Sequence, residues 1–138
     1  MTTIDDSARC PCLSGSVYGE CCGPHHRGTS AAPTAERLMR SRYSAFAVGD
    51  ADYLLASWHP STRPGALELD DDVRWYRLDI LDRRAGGLLD TDGEVEFVAR
   101  YRPKPDRAPG RPSGARGEVH ERSRFARENG SWLYVDAL

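Results

Sequence analysis

Outside residues 10–22 the 138-residue sequence contains no cysteine. No disulfide framework can therefore run through the chain, and a chain this long can bury a core without one. No apolar run is long enough to span a bilayer. The opening, MTTIDDSARC, carries two acids and no apolar stretch, unlike a secretory leader, so a cytoplasmic protein is expected. Neither sign of charge predominates: 19 basic and 21 acidic residues leave a net charge of -2. The chain as a whole thus gives no case for binding DNA or an anionic membrane. Lysine is nearly missing. Lys104 is the one lysine, and the arginines are scattered, which reads as coding bias. No internal repeat is visible. What is present is ordinary for a single soluble domain, 39% hydrophobic and 29% charged.

The four cysteines lie together in CPCLSGSVYGECC as Cys10, Cys12, Cys21 and Cys22. In a reducing compartment, clustered thiolates hold a metal rather than form disulfides. Two close pairs joined by a short loop can wrap four sulfurs around one ion. Four thiolates suit tetrahedral Zn2+, and iron is the chemical alternative. Gly15, Gly19 and Gly23 let the backbone turn tightly, and Pro11 stiffens the first pair. His25 and His26 follow at once. Either could replace a cysteine as a ligand; otherwise the four cysteines close the shell and both histidines are surface residues. A closed shell leaves no position for substrate.

The period after this is helical. Pro33 and Thr34 start a helix and Gly49 stops it, with Leu38, Met39, Tyr43 and Phe46 on one face. A second helix is expected from Asp50 to His59-Pro60, with Ala51, Leu54, Leu55 and Trp58 spaced i, i+3, i+4, i+7. The acidic run Asp70–Asp72 reads as a solvated turn. The period then changes to two. Tyr76, Leu78 and Ile80 form one strand face, Val95, Phe97, Ala99 and Tyr101 a second, and Val119, Glu121, Ser123 and Phe125 a third. SWLYVDAL closes the sheet. Asn129-Gly130 predicts a two-residue hairpin turn, and Gly86-Gly87 with Thr91–Gly93 a looser one. The fold class is therefore α+β, helices followed by about four antiparallel strands. Residues 102–117 interrupt the pattern with four of the nine prolines and a net charge of +4. This segment reads as a long hairpin loop, either a solvated insertion or a basic arm for an acidic partner or RNA.

Two resemblances cover the chain. CPCLSGSVYGECCG resembles the SEC-C motif, the small zinc-binding module of the SecA translocation ATPase, whose usual form is C-P-C-G-S-G-K followed by C-C or C-H. Leu13 stands where that family has Gly, and Ser16 where it usually has Lys. Residues 1–28 sum to -1, which argues against a basic nucleic-acid-binding knuckle. ERLMRSRYSAF, DADYLLASWHPST, FVARYR, ERSRF and ENGSWLYVD together resemble the YchJ family, also called UPF0225. The resemblance implies a SEC-C zinc knuckle at 1–28 and an NTF2-like domain at 29–138, a cone of curved antiparallel sheet wrapped against helices. It implies no activity. The SEC-C likeness implies contacts with a protein partner or the ribosome, with Tyr18 and an exposed GPHHRG as the contact surface.

The alternative is a small ligand inside the cone. Its polar candidates are Arg40, Arg42, Tyr43, His59, Glu121, Ser123 and Arg124. Glu121 is the most informative, because it shares a strand face with Val119 and Phe125 and needs a partner if buried. Arg40 or Arg42 could supply one as a bridge between helix and sheet, and His59 is a candidate base or a helix-end donor. None is assigned a catalytic role. A thiol sensor that ejects zinc on oxidation is a third reading.

Overall fold

The computed structural model describes residues 4–104 and 116–138. Most of the basic loop expected at 102–117 lies outside the described residues; its two ends continue strands. The elements are a 3-10 turn at Tyr18–Glu20, α1 (Cys22–His26), α2 (Ala35–Val48), α3 (Ala51–Ala56), β1 (Val73–Ala85), β2 (Asp92–Pro103), β3 (Gly117–Glu128) and β4 (Ser131–Ala137). The strands form one antiparallel sheet in the order β1-β2-β3-β4. The fold is α+β, as the change of period implied.

The Thr34 side chain accepts from the Arg37 backbone N–H at 3.2 Å and caps α2. Gly49 ends the helix at φ 78°, the left-handed region glycine enters freely. Asp50 then caps α3, accepting from the Tyr53 amide at 3.0 Å. This second helix stops a turn before the expected His59-Pro60. The Tyr134 amide donates to the Ser57 carbonyl at 2.9 Å, and the His59 amide donates to the Tyr134 carbonyl at 2.7 Å. Strand β4 thus takes the backbone groups that another helical turn would have used. The short helix α1 had no periodic signal to betray it.

Asn129 and Gly130 make the β3–β4 turn with φ 53° and 80°, both positive as a type I′ turn requires. The β1–β2 connection closes more tightly than expected. A Cβ on Gly93 would lie 2.5 Å from the Gly86 Cα, so only glycine fits there. The Gly86 carbonyl accepts from the Ala35 amide at 3.0 Å and ties this hairpin to the start of α2.

The inner face of the sheet carries Val95, Phe97 and Ala99 from β2, Phe125 from β3 and Trp132 from β4, all buried against Leu38, Met39 and Tyr43 of α2. Trp132 also donates its indole N–H to the Pro33 carbonyl at 3.2 Å. β1 departs from the expected alternation. A register shift between Trp75 and Arg77 makes Tyr76 the extra residue, so Trp75 turns inward and Tyr76 turns out beneath the Arg102 guanidinium. Phe46, expected in the core, sits at the rim against Trp75.

The outer face explains many of the arginines. Arg122 pairs with Glu94, Asp82 and Glu96, Arg84 with Asp92 and Glu94, and Arg100 with Asp79 and Glu118. Basic and acidic residues on neighbouring strands alternate across the sheet. Individually such exposed pairs contribute little stability. Together they leave this face charged. α2 lies between the remaining parts. One side covers the sheet, Ser44 faces the cysteines, and Ser41 meets Tyr53 of α3. The cysteines and Tyr18 belong to the same continuous core as Leu38, Phe97 and Trp132.

Candidate metal centre and cone cavity

Four thiolates at a Zn–S length of about 2.3 Å stand roughly 3.8 Å apart at the corners of a tetrahedron. The sulfurs of Cys12 and Cys21 are 3.6 Å apart, and those of Cys21 and Cys22 are 3.9 Å apart. All four ligand atoms lie within 4.8 Å of one another, and all four residues are buried, without a disulfide. The donor set and its spacing fit a tetrahedral metal ion. The Cys10 thiol, and then that of Cys22, hold the Cys12 sulfur far below the ordinary thiol range through hydrogen bonds. The same contacts push Cys10 up, chiefly through Cys12, and Cys22 up, chiefly through Cys10. Sulfurs that share protons this closely favour exchanging them for a cation.

The surroundings of the cluster orient it. Ser44 lies 3.3 Å from the Cys22 sulfur and 3.6 Å from that of Cys10, and the Ser14 hydroxyl lies 3.2 Å from Cys21. The sequence reading missed both serines. Ser41 and Ser44 are one helical turn apart on α2, and that pair of small polar residues marks the side where another segment packs closely.

Arg40 belongs here rather than in the cone. It donates to the Cys12 carbonyl at 2.9 Å and to Glu36 at 3.0 Å, pinning the knuckle to α2. Leu13 has φ 64°, the left-handed region, where the motif's usual glycine would be unstrained.

Neither histidine joins the group of four sulfurs, and both bond within the protein. His25 is buried and donates Nδ1–H to the Ser30 carbonyl at 2.8 Å. His26 donates Nε2–H to the Ser41 carbonyl at 2.8 Å, which leaves Nδ1 to accept from the Tyr18 hydroxyl at 2.6 Å. Burial pushes His26 below its ordinary range. Tyr18 is also buried, so of the contact surface expected from Tyr18 and GPHHRG only Arg27 and Gly28 are exposed. The loop 13–16 is exposed, with Leu13 54% exposed.

Between α2 and the sheet lies a cavity of about 290 Å³. Its wall is mostly apolar, with Met39, Phe46, Trp75 and Phe97 among the lining residues. Of the candidates, Arg42, Tyr43, Glu121 and Ser123 line it; Arg40, His59 and Arg124 do not. His59 instead bonds the Glu128 carboxylate through Nε2 and accepts from the Ser61 amide at 3.1 Å through Nδ1. Arg124 lies on the outer face in a two-point pair with Asp136, at 2.6 and 2.7 Å.

The expected bridge to Glu121 is not made by either arginine. Arg42 donates Nη1–H to the Leu54 carbonyl and the Ser57 hydroxyl, both at 2.7 Å. Its guanidinium lies 5.1 Å from the Trp58 ring centre and 4.6 Å from that of Tyr134. Burial pulls its pKa down to about 10, opposed by the charges of Tyr134, Tyr53 and Glu121. Among the described residues, Glu121 makes no hydrogen bond or ion pair, and the hydrogen bonds of Arg42 all run through Nη1. Two further polar atoms of the cavity residues, the Tyr43 hydroxyl and the Trp58 indole nitrogen, are buried with no partner among the described residues. Each such orphan costs roughly 1–3 kcal/mol. Helical spacing places Tyr43 and Trp58 on apolar helix faces, and nothing in the sequence marks their polar atoms as unpaired.

The fold and the cysteine cluster define a class: a SEC-C metal-binding motif joined to an NTF2-like domain. The model of the SEC-C motif matches residues 7–24, and that of the YchJ middle NTF2-like domain matches residues 34–137. A UPF0225 protein of Streptomyces coelicolor is 51% identical over 127 residues, covering 92% of each chain. One from Chromobacterium violaceum is 49% identical over 135 residues, covering 95% of this chain and 93% of its own. The chain belongs to the YchJ, or UPF0225, family.

A SEC-C motif containing protein from Rhodopseudomonas palustris, solved in solution, is similar in structure, with a TM-score of 0.74 and 32% identity over 94% of this chain and 96% of that one. A crystal structure of a SEC-C motif containing protein from Psychrobacter arcticus gives 0.70 and 26%, over 95% of this chain and 82% of that one. No helix among the described residues is long and apolar enough to cross a membrane.

Proposed function

We propose that this protein is a cytoplasmic, zinc-stabilised receptor for a small apolar ligand held in the cone. The observation that supports this reading best is the cavity itself. An apolar wall with a few polar groups, here Arg42, Glu121 and Ser123, is the usual composition of a ligand site. Zinc is the metal proposed for Cys10, Cys12, Cys21 and Cys22, because four buried thiolates give it a closed tetrahedral shell; iron is the chemical alternative. Bound there, the metal supplies the folding energy that a segment of this size cannot draw from a core of its own.

The test has two arms. Elemental analysis of the purified protein is expected to return one zinc per chain. An NMR-monitored screen of small aliphatic and aromatic compounds is expected to shift signals of Met39, Trp75 and Ala99 in the cavity. A screen in which no compound moves them removes the receptor reading.

A second reading keeps the knuckle as a docking module for a protein or the ribosome, with no role for DNA or membrane. It is favoured by Leu13, an exposed apolar residue at the tip of the knuckle. Affinity capture from native lysate would compare the intact chain with Leu13→Asp, which leaves the sulfurs untouched. A partner lost with Leu13 supports docking. Identical capture by both chains counts against it.

A further inference from the structure

The polar groups that a guest can touch narrow its chemistry. The Tyr43 hydroxyl and the Trp58 indole nitrogen take no part, because both are sealed beneath the cavity surface. Arg42 is different. Its hydrogen bonds use Nη1 alone and leave Nε and Nη2 without partners. Those two nitrogens are not among the sealed atoms, so they meet open space, and Arg42 lines the cavity. The same holds for the Glu121 carboxylate and for the hydroxyls of Ser123 and Tyr134. Each belongs to a lining residue, bonds nothing among the described residues and is not sealed.

These groups are neighbours. Burial lowers Arg42, and the Glu121 charge opposes that effect although no ion pair joins the two. Burial raises the Tyr134 hydroxyl, Glu121 raises it further, and Arg42 opposes both. A guanidinium that only donates and a carboxylate that only accepts thus stand within electrostatic reach, with no bond between them. An anion drawn to Arg42 meets the Glu121 charge, and a cation drawn to Glu121 meets Arg42. A zwitterion gives up the water of two charges in an apolar space. A neutral head avoids these costs, provided it accepts from Arg42 and donates to Glu121. A carboxamide does so from separate atoms, its oxygen and its nitrogen, which suits two partners that do not meet. Hydrogen bonds to charged partners are the stronger kind. The cavity volume of about 290 Å³ exceeds the roughly 150 Å³ that holds benzene. A ring therefore fits beside the head group, against Met39, Trp75 and Phe97.

Resting on the receptor reading above, we propose that the cone cavity selects neutral molecules carrying a carboxamide on a small apolar body. Isothermal titration of the full-length, metal-loaded protein tests it with four probes that share one ring: phenylacetamide, phenylacetate, 2-phenylethylamine and toluene. Phenylacetamide is expected to bind about tenfold more tightly than each of the others, the margin of one hydrogen bond to a charged group. Glu121→Gln keeps the size of the side chain and removes its charge. It is expected to weaken phenylacetamide several-fold and to make phenylacetate the tighter guest, because Arg42 then stands unopposed. A Glu121 with a merely structural role would leave the order of the probes unchanged. Glu121→Ala serves as the second variant should Glu121→Gln fail to fold.

Toluene binding as tightly as phenylacetamide overturns the proposal, and so does either charged probe binding most tightly. An order of probes that Glu121→Gln leaves unchanged overturns it as well. In these cases the cavity remains a ligand site. None of the four binding while other compounds move the Met39 and Trp75 signals also overturns the proposal alone. Failure of every compound in the screen removes the receptor reading with it.

Discussion

At the cysteine cluster the sulfurs have neighbours suited to them. Cys22 has the Ser44 hydroxyl, Cys21 has Ser14, the Cys12 carbonyl has Arg40, and the nearby histidines bond backbone carbonyls. On another side of α2, in the cone, the Tyr43 hydroxyl and the Trp58 N–H have no partner among the described residues. Both regions are buried and both use polar groups, yet one is saturated and the other is not. A saturated buried site holds structure together. An unsaturated one carries an unfavourable term that the surrounding packing must offset.

The contrast can be broken most forcefully at the sulfurs. Cys12→Ser is expected to release the metal and cost at least about 4 kcal/mol, because it opens a closed shell at a fully buried position. Elemental analysis and denaturant unfolding check both halves of the expectation. Ser44→Ala touches the metal only through its ligands. It is expected to lower metal affinity roughly 10- to 100-fold with the fold retained, read by competition with a chelator.

In the cavity the sign reverses. Tyr43→Phe removes a buried hydroxyl that bonds nothing, and is expected to raise stability by about 1 kcal/mol in denaturant titration. The smallest effect is expected at the knuckle's tip. Leu13→Gly relieves a left-handed backbone at an exposed residue, and is expected to add up to about 1 kcal/mol without changing metal content.

Much of this was legible in the sequence where the signal is local. Four cysteines in thirteen residues announced a metal site, the Thr34 cap and Gly49 bounded α2, and Asn129-Gly130 fixed the last hairpin. What could not be read depends on contacts distant in sequence. Strand β4 shortens α3 by pairing with Ser57 and His59, and a bulge in β1 exchanges Tyr76 for Trp75. Arg40 and Arg42, two positions apart on one helix, point to different parts of the molecule: one to the knuckle, the other into the cone. Arg124 shares β3 with Glu121 but is an odd number of residues away, so the pleat carries it to the outer face. The scattered arginines looked featureless because their acidic partners sit on neighbouring strands.

α2 is a wall shared by two compartments. Met39 and Tyr43 line the cavity, and Ser44, the next residue, touches two of the sulfurs. A guest that shifts this helix therefore acts on the metal's surroundings. Thermodynamic linkage makes the influence mutual: whatever factor the guest applies to metal affinity, the metal applies to affinity for the guest. On the receptor reading proposed above, the knuckle and the cone are two ends of one balance, and loading either pan is felt at the other.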